Sequence, residues 1–236
     1  MRILITIIAC LALATGALAA ERNVTVTPVD GVLNSIDLAA PSGVCVMGNT
    51  NAPAWASGEF IWGAESYAIV FEAQRPPCGC PAGFSVEQIH SVVQFPGPVT
   101  FGVYVTFHET EYDASADCMV PGAEICSSAL YTVTIPSAGM YDIALPIDPT
   151  TCACTYFGYK YAASMTFVDA FDEYPDLISD NFPVGCTSYV DYGGGWLDLI
   201  DFGVPGEIII NADIVCCENP VPNEDRSWGE LKSLFR

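Results

Sequence analysis

From Tyr67 onward the chain repeatedly alternates apolar and polar positions with a period of two, the pattern of strands buried on one face. The clearest run is Val99–Glu109. There Val99, Phe101, Val103, Val105 and Phe107 fall on one side, and Thr100, Tyr104, Thr106 and His108 on the other. Tyr67–Ala73 is a near-continuous apolar run, and Val86–Phe95, which contains His90, is a weaker one. Tyr131, Val133 and Ile135 alternate with Thr132 and Thr134, then Tyr141, Ile143 and Leu145 alternate in turn. The Pro136-Ser137-Ala138-Gly139 connection between these two runs predicts a hairpin. Tyr161, Ala163, Met165 and Phe167 supply another inward face. The last strand is predicted over Glu207–Cys216, with Ile208, Ile210, Ala212 and Ile214 set against Glu207, Asn211 and Asp213.

No stretch of the body carries a convincing period of 3.6, and Gly- and Pro-rich turns recur between the runs. This predicts an all-β fold: an antiparallel two-layer sandwich, jelly-roll-like and stabilised by disulfides. A short β-like run, Val24–Thr27, precedes it. Residues 41–63 read as a surface connection whose Trp55 and Trp62 cover the edge of the core, while 111–128 and 169–180 read as acidic loops. Strand order is not legible from the pattern.

The first residues change the picture of where this domain works. Arg2, the apolar run from Ile3 and the small-residue Ala17-Leu18-Ala19 together form a secretory signal, so residues 1–20 are assigned to export and 21–217 to a single domain. No later apolar run is long enough to span a bilayer, and the exported chain is expected to be secreted or held at the cell surface. Ten cysteines lie outside the signal: Cys45, Cys78, Cys80, Cys118, Cys126, Cys152, Cys154, Cys186, Cys216 and Cys217. In an exported chain an even number implies disulfides, whose pairing spacing alone leaves open. Cys78-Gly79-Cys80 and Cys152-Ala153-Cys154 also have thiolate-ligand spacing, a reading that export disfavours.

Charge narrows the partners. Twenty-eight Asp and Glu against seven Lys and Arg give a net charge of −21. Such a surface repels phosphate backbones and anionic headgroups, which disfavours nucleic acid and membrane-surface binding and leaves cations, basic partners or neutral glycans.

The inventory for catalysis is thin: the two histidines stand outside any metalloprotease motif, and no nucleophile elbow, phosphate loop or dinucleotide pattern is present. His108 reads as an exposed strand residue. A pair of carboxylates across a sugar would suit glycoside hydrolysis, but nothing singles out one pair. Asp169, Asp172, Glu173 and Asp176 form an acidic loop able to offer oxygens to calcium, although without the EF-hand ladder. Tyr189, Tyr192 and Trp196 flank Gly193-Gly194-Gly195, where exposed rings would stack on sugars and buried ones would cap the core. The tail, residues 218–236, places Trp228, Leu231, Lys232, Phe235 and Arg236 after a Pro-rich spacer, as in a sorting or docking segment.

The run Pro183-Val184-Gly185-Cys186-Thr187-Ser188-Tyr189-Val190-Asp191-Tyr192-Gly193-Gly194-Gly195-Trp196-Leu197-Asp198-Leu199, the Cys216-Cys217 pair and the Trp228-Gly229-Glu230-Leu231-Lys232-Ser233-Leu234-Phe235-Arg236 terminus resemble a group of exported bacterial β-sandwich proteins. The resemblance implies a secreted module with a sorting-like tail and brings no catalytic residues. The sequence therefore points first to a non-enzymatic protein with a structural, matrix or surface-interaction role. A glycan-binding module, calcium-assisted or not, comes second, and a carboxylate hydrolase third.

Overall fold

The computed structural model describes residues 23–29, 45–72, 80, 83–148, 151–152, 154–155 and 160–217. Residues 1–20, read from the sequence as a signal, the tail with its Trp228–Arg236 motif, and Cys78 lie outside these residues. The strands are β1 (Thr25–Val29), β2 (Cys45–Gly48), β3 (Trp55–Ala56), β4 (Glu65–Glu72), β5 (Phe84–Phe95), β6 (Val99–Asp113), β7 (Cys118–Ser127), β8 (Tyr131–Ile135), β9 (Gly139–Pro146), β10 (Lys160–Phe167), β11 (Asp176–Ser179), β12 (Ser188–Asp191), β13 (Trp196–Asp198) and β14 (Ile210–Cys216). A single 3₁₀ turn, Leu199–Phe202, is the helical element among the described residues, none of which forms a helix long and apolar enough to cross a membrane.

Two antiparallel sheets pack face to face. The first runs β1-β9-β5, and the far edge of β5 is shared in series by β14, which carries β2, and β11, which carries β3. The second runs β13-β12-β4-β10-β6, and β6 likewise shares its far edge between β8 and β7. Following β2, β4, β5, β6, β8, β9, β10 and β14 in order, the chain changes sheet at every step except from β6 to β8. That wrapping is a jelly roll. The predicted inward columns build the core between the sheets: Phe95 of β5 stacks on Phe101 of β6 with ring centroids 5.5 Å apart, and Phe84 meets Phe107 edge-on at 5.9 Å. Each such fully buried ring contributes roughly 1.5–3 kcal/mol.

Several local expectations are corrected. β8 and β9 are not a hairpin: β8 pairs with β6 and β9 with β5, so the Pro136–Gly139 turn crosses from one sheet to the other. A hairpin and a crossover show the same alternation, because both place one face of each strand on the core. The 111–128 loop is in fact the end of β6, a turn and β7, with register shifts around His108 that let the interrupted sequence remain in the ladder. The 41–63 connection contains β2 and β3, the 169–180 loop ends in β11, and β14 starts at Ile210 rather than Glu207.

Disulfides fasten the ends. Cys80–Cys216 and Cys154–Cys217 tie the end of β14 to the segments before β5 and β10. Cys118–Cys186 and Cys126–Cys152 pin β7 at both of its ends, and Cys45 is disulfide-bonded as well. Held in this way, β7 brings Met119 and Val120 onto the outer face of the second sheet, over Ala68, Val70, Ala162 and Tyr189.

Candidate functional site

The inward column of β4 reads Glu65, Tyr67, Ile69, Phe71, an apolar face that begins with a carboxylate at the end of the sandwich. Glu65 is only 6% exposed. Its Oε2 accepts a 2.5 Å hydrogen bond from the Tyr67 hydroxyl and a 3.1 Å bond from the Trp62 backbone N–H. Among the described residues no group bonds its Oε1. Burial, and after it the hydrogen bond to Glu65, pushes the Tyr67 phenol far above its ordinary range, so Tyr67 acts as a fixed donor.

The register of β12 on β4 pairs Asp191 with Ser66, so the next residue, Tyr192, comes beside Glu65. The Tyr192 phenol is held above its usual pKa by partial burial and by the Glu65 charge. Two exposed ring pairs flank the carboxylate. Trp62, 59% exposed, lies 5.7 Å from Tyr174 with ring planes 32° apart, and Tyr192 meets Phe202 at 6.0 Å and 66°.

Local chemistry fixes each ring. The Trp62 loop is strapped to the segment before β11: Asp176 Oδ1 accepts the Glu59 N–H at 2.6 Å, and the Pro175 carbonyl accepts from Phe60 and Ile61. The Tyr192 turn closes on Asp191, whose Oδ1 accepts the N–H groups of Gly193, Gly194 and Gly195 within 3.0 Å. Phe202 ends the 3₁₀ turn that Asp198 caps at Ile200 N–H.

Of the three rings singled out around the glycine turn, Tyr192 belongs to this end, whereas Tyr189 and Trp196 lie on the outer face of the second sheet. Tyr189 is buried, with its hydroxyl donating to the Met119 carbonyl at 2.9 Å; β7 covers the outer face on which it lies. Trp196 is half-buried and packs edge-on against His108. His108 is not an exposed strand residue either: its Nε2 lies 2.9 Å from Ser164 Oγ, its Nδ1 3.3 Å from the Gly122 carbonyl, and burial lowers its pKa. The acidic residues are dispersed. Asp169 accepts from the Gly102 N–H, Asp176 from Glu59 and Gln94, and Asp172 and Glu173 are exposed. Among the described residues the one cluster of three possible metal-ligating side chains is Cys118, Cys186 and Asp198, and its two sulfurs form a disulfide.

Glu65, Tyr174 and Phe202 escaped the sequence reading, and Trp62 was assigned to covering the core. One signal was available: a carboxylate in line with Tyr67, Ile69 and Phe71 on an otherwise apolar face.

The fold and this end define a disulfide-stapled jelly-roll sandwich with an aromatic loop surface. The chain belongs to the family described as domain of unknown function DUF7451, whose model matches residues 43–214. No curated protein matches it in sequence. A solved structure similar to it is that of the cysteine protease and lectin-like domains of Cwp84, a surface layer associated protein of Clostridium difficile. The similarity has a TM-score of 0.42 and 11% identity over 66% of this chain and 33% of that one, so the chain spans about a third of that structure's length.

Proposed function

We propose that the protein is a non-enzymatic β-sandwich of the extracytoplasmic space, with a surface- or matrix-interaction role played by the loop end around Glu65. The observation that carries this reading is the pairing of exposed rings, Trp62 with Tyr174 and Tyr192 with Phe202, at one end of the domain. Large rings left in solvent beside a buried polar anchor are the composition of a recognition surface. Leu197 and Ile200, also exposed, extend the apolar surface beside Tyr192 and Phe202. The disulfides, four of them between described residues and a further one at Cys45, fit an oxidising compartment.

The test is retention of the full chain on a panel of immobilised cell envelopes, matrix proteins and insoluble polysaccharides, against a Trp62→Ala/Tyr192→Ala/Phe202→Ala variant. Retention on at least one surface, lost in the variant, is the expected result. Absence of retention on every surface, or retention indifferent to the three substitutions, overturns the proposal.

A further inference from the structure

We infer that the Trp62–Tyr174 face, with Glu65 and Tyr192 beside it, binds uncharged sugar rings. This deepens the interaction role proposed above and rests on it. Three independent features converge on this ligand.

The first is shape. The Trp62 and Tyr174 rings lie 5.7 Å apart with planes tilted by 32°, and both are exposed, so broad ring surface faces solvent in an open arrangement. The apolar face of a pyranose is flat and needs such a partner. A quaternary ammonium is held instead by rings on several sides. Here neither member of the Trp62–Tyr174 pair stacks on a member of the Tyr192–Phe202 pair among the described rings, so the walls of such a cage are not assembled.

The second is hydrogen bonding. Glu65 directs one oxygen to Tyr67 and Trp62, leaving Oε1 without a partner among the described residues, and the β12–β4 register sets Tyr192 alongside, close enough for the Glu65 charge to act on its phenol. A carboxylate oxygen accepting from sugar hydroxyls, beside a phenol able to donate or accept, fixes the orientation of a ring stacked on Trp62. Tyr67 holds the carboxylate in place from below, so little ordering is left to the moment of binding.

The third is charge. The chain carries −21, and Lys160, on β10, is the sole lysine or arginine among the described residues. Lys160 pairs with Glu72 at the far end of β4 from Glu65, so among the described residues uronate, sulfate and phosphate groups would meet no cation at this end, which selects against acidic polysaccharides.

The experiment is titration of the full chain with cellohexaose, xylohexaose and mannohexaose, followed by calorimetry and by Trp fluorescence. Polygalacturonate fragments and a trimethyl-lysine peptide serve as anionic and cationic comparisons. At least one neutral oligosaccharide is expected to bind and the acidic fragments are not. Trp62→Ala should weaken binding about tenfold or more and Glu65→Gln by a similar factor, with the Trp62→Ala melting temperature unchanged. If Glu65→Gln fails to fold, Tyr192→Phe, which removes only the hydroxyl, replaces it in the comparison. No binding of any neutral oligosaccharide, binding indifferent to Trp62→Ala, or binding of the trimethyl-lysine peptide alone each overturns the inference. Surface retention that excess oligosaccharide does not displace would overturn the sugar inference while leaving the interaction role standing.

Discussion

His90 Nδ1 lies 3.0 Å from Asp142 Oδ2, and on its other side His90 Nε2 is 3.4 Å from Asp213 Oδ2. The imidazole of β5 thus sits between carboxylates of β9 and β14 on the outer face of the first sheet, with all three residues less than 9% exposed. Burial opposes its charge, but the two aspartates outweigh burial and raise its pKa from 6.5 to about 9. The imidazole and its two carboxylates link the three strands, with Gln88 Nε2 2.9 Å from His90 Nε2 and donating to Asp213 Oδ2 at 2.6 Å.

A pH dependence of stability follows. Because the folded-state pKa lies above the unfolded value, the stabilisation is complete below pH 6.5 and is lost as pH rises through about 9. A shift of this size corresponds to an order of about 3 kcal/mol. Denaturant melts between pH 6 and 10 should show stability falling on the alkaline side, and His90→Gln should flatten that fall. A His90 resonance titrating near 6.5 in the folded protein would contradict the bridge.

Tyr189 and Tyr192, three residues apart, should separate packing from recognition. Tyr189 is 1% exposed and Tyr192 45%. Truncating Tyr189 to Ala is expected to cost about 3–5 kcal/mol, and Tyr189→Phe, which removes the bond to Met119, about 1 kcal/mol. Tyr192→Ala should change stability by no more than about 0.5 kcal/mol. Chemical denaturation of the three variants gives the comparison directly, and equal losses at the two alanines would refute the burial assignment.

The contrast between these tyrosines also marks what the sequence could and could not reveal. Long one-sided strands such as β6 were legible, because Val99–Phe107 alternate without interruption and only a sheet buries that pattern. β7 was hidden by Pro121-Gly122 and its acidic neighbours: it stays in the ladder through register shifts and two disulfides, which are tertiary effects. Whether Tyr189 is a surface ring or a cap on the core stayed open in the sequence, because nothing local announces that β7 will fold over it. The crossover between β8 and β9 was invisible for a different reason, since strand pairing is decided by which sheet has a free edge. Tyr192 was legible as a ring beside the glycine turn, and Glu65 was a further readable clue, but the site forms only when Trp62 and Tyr192 arrive beside Glu65 from separate segments.

Calcium offers a further check on the acidic segment. Asp176 already accepts from Glu59 N–H and Gln94 Nε2, and Asp169 from Gly102 N–H, and among the described residues these carboxylates do not converge into a set of three ligands. The melting temperature is therefore expected to be the same with calcium and with chelator, while Asp176→Ala lowers it in both, by the equivalent of about 1–3 kcal/mol for charge-assisted bonds. A rise of several degrees with calcium, abolished by Asp172→Asn with Asp176→Asn, would show that the loop rearranges around the ion.

Gly63 tests how the Trp62 platform is held. Its φ is +94°, and a Cβ there would fall on the Asp169 carbonyl oxygen and within 2.6 Å of Ala170 Cα, both backbone atoms that cannot swing away. The Phe171 N–H donates to the Trp62 carbonyl at 3.4 Å across the same contact, so the two loops are seated on each other at this glycine. Gly193 provides the control. It has a similar φ of +92° but open space around its would-be Cβ, so Gly193→Ala meets only the backbone penalty, about 1 kcal/mol. Gly63→Ala meets that penalty and the clash together and should cost about 2–4 kcal/mol. Because the clash drives the Trp62 loop away from the segment that leads to Tyr174, Gly63→Ala should also change Trp fluorescence in the folded state, and Gly193→Ala should not. Equal stability losses in the two variants, with unchanged emission in both, would show that the platform does not depend on this close approach.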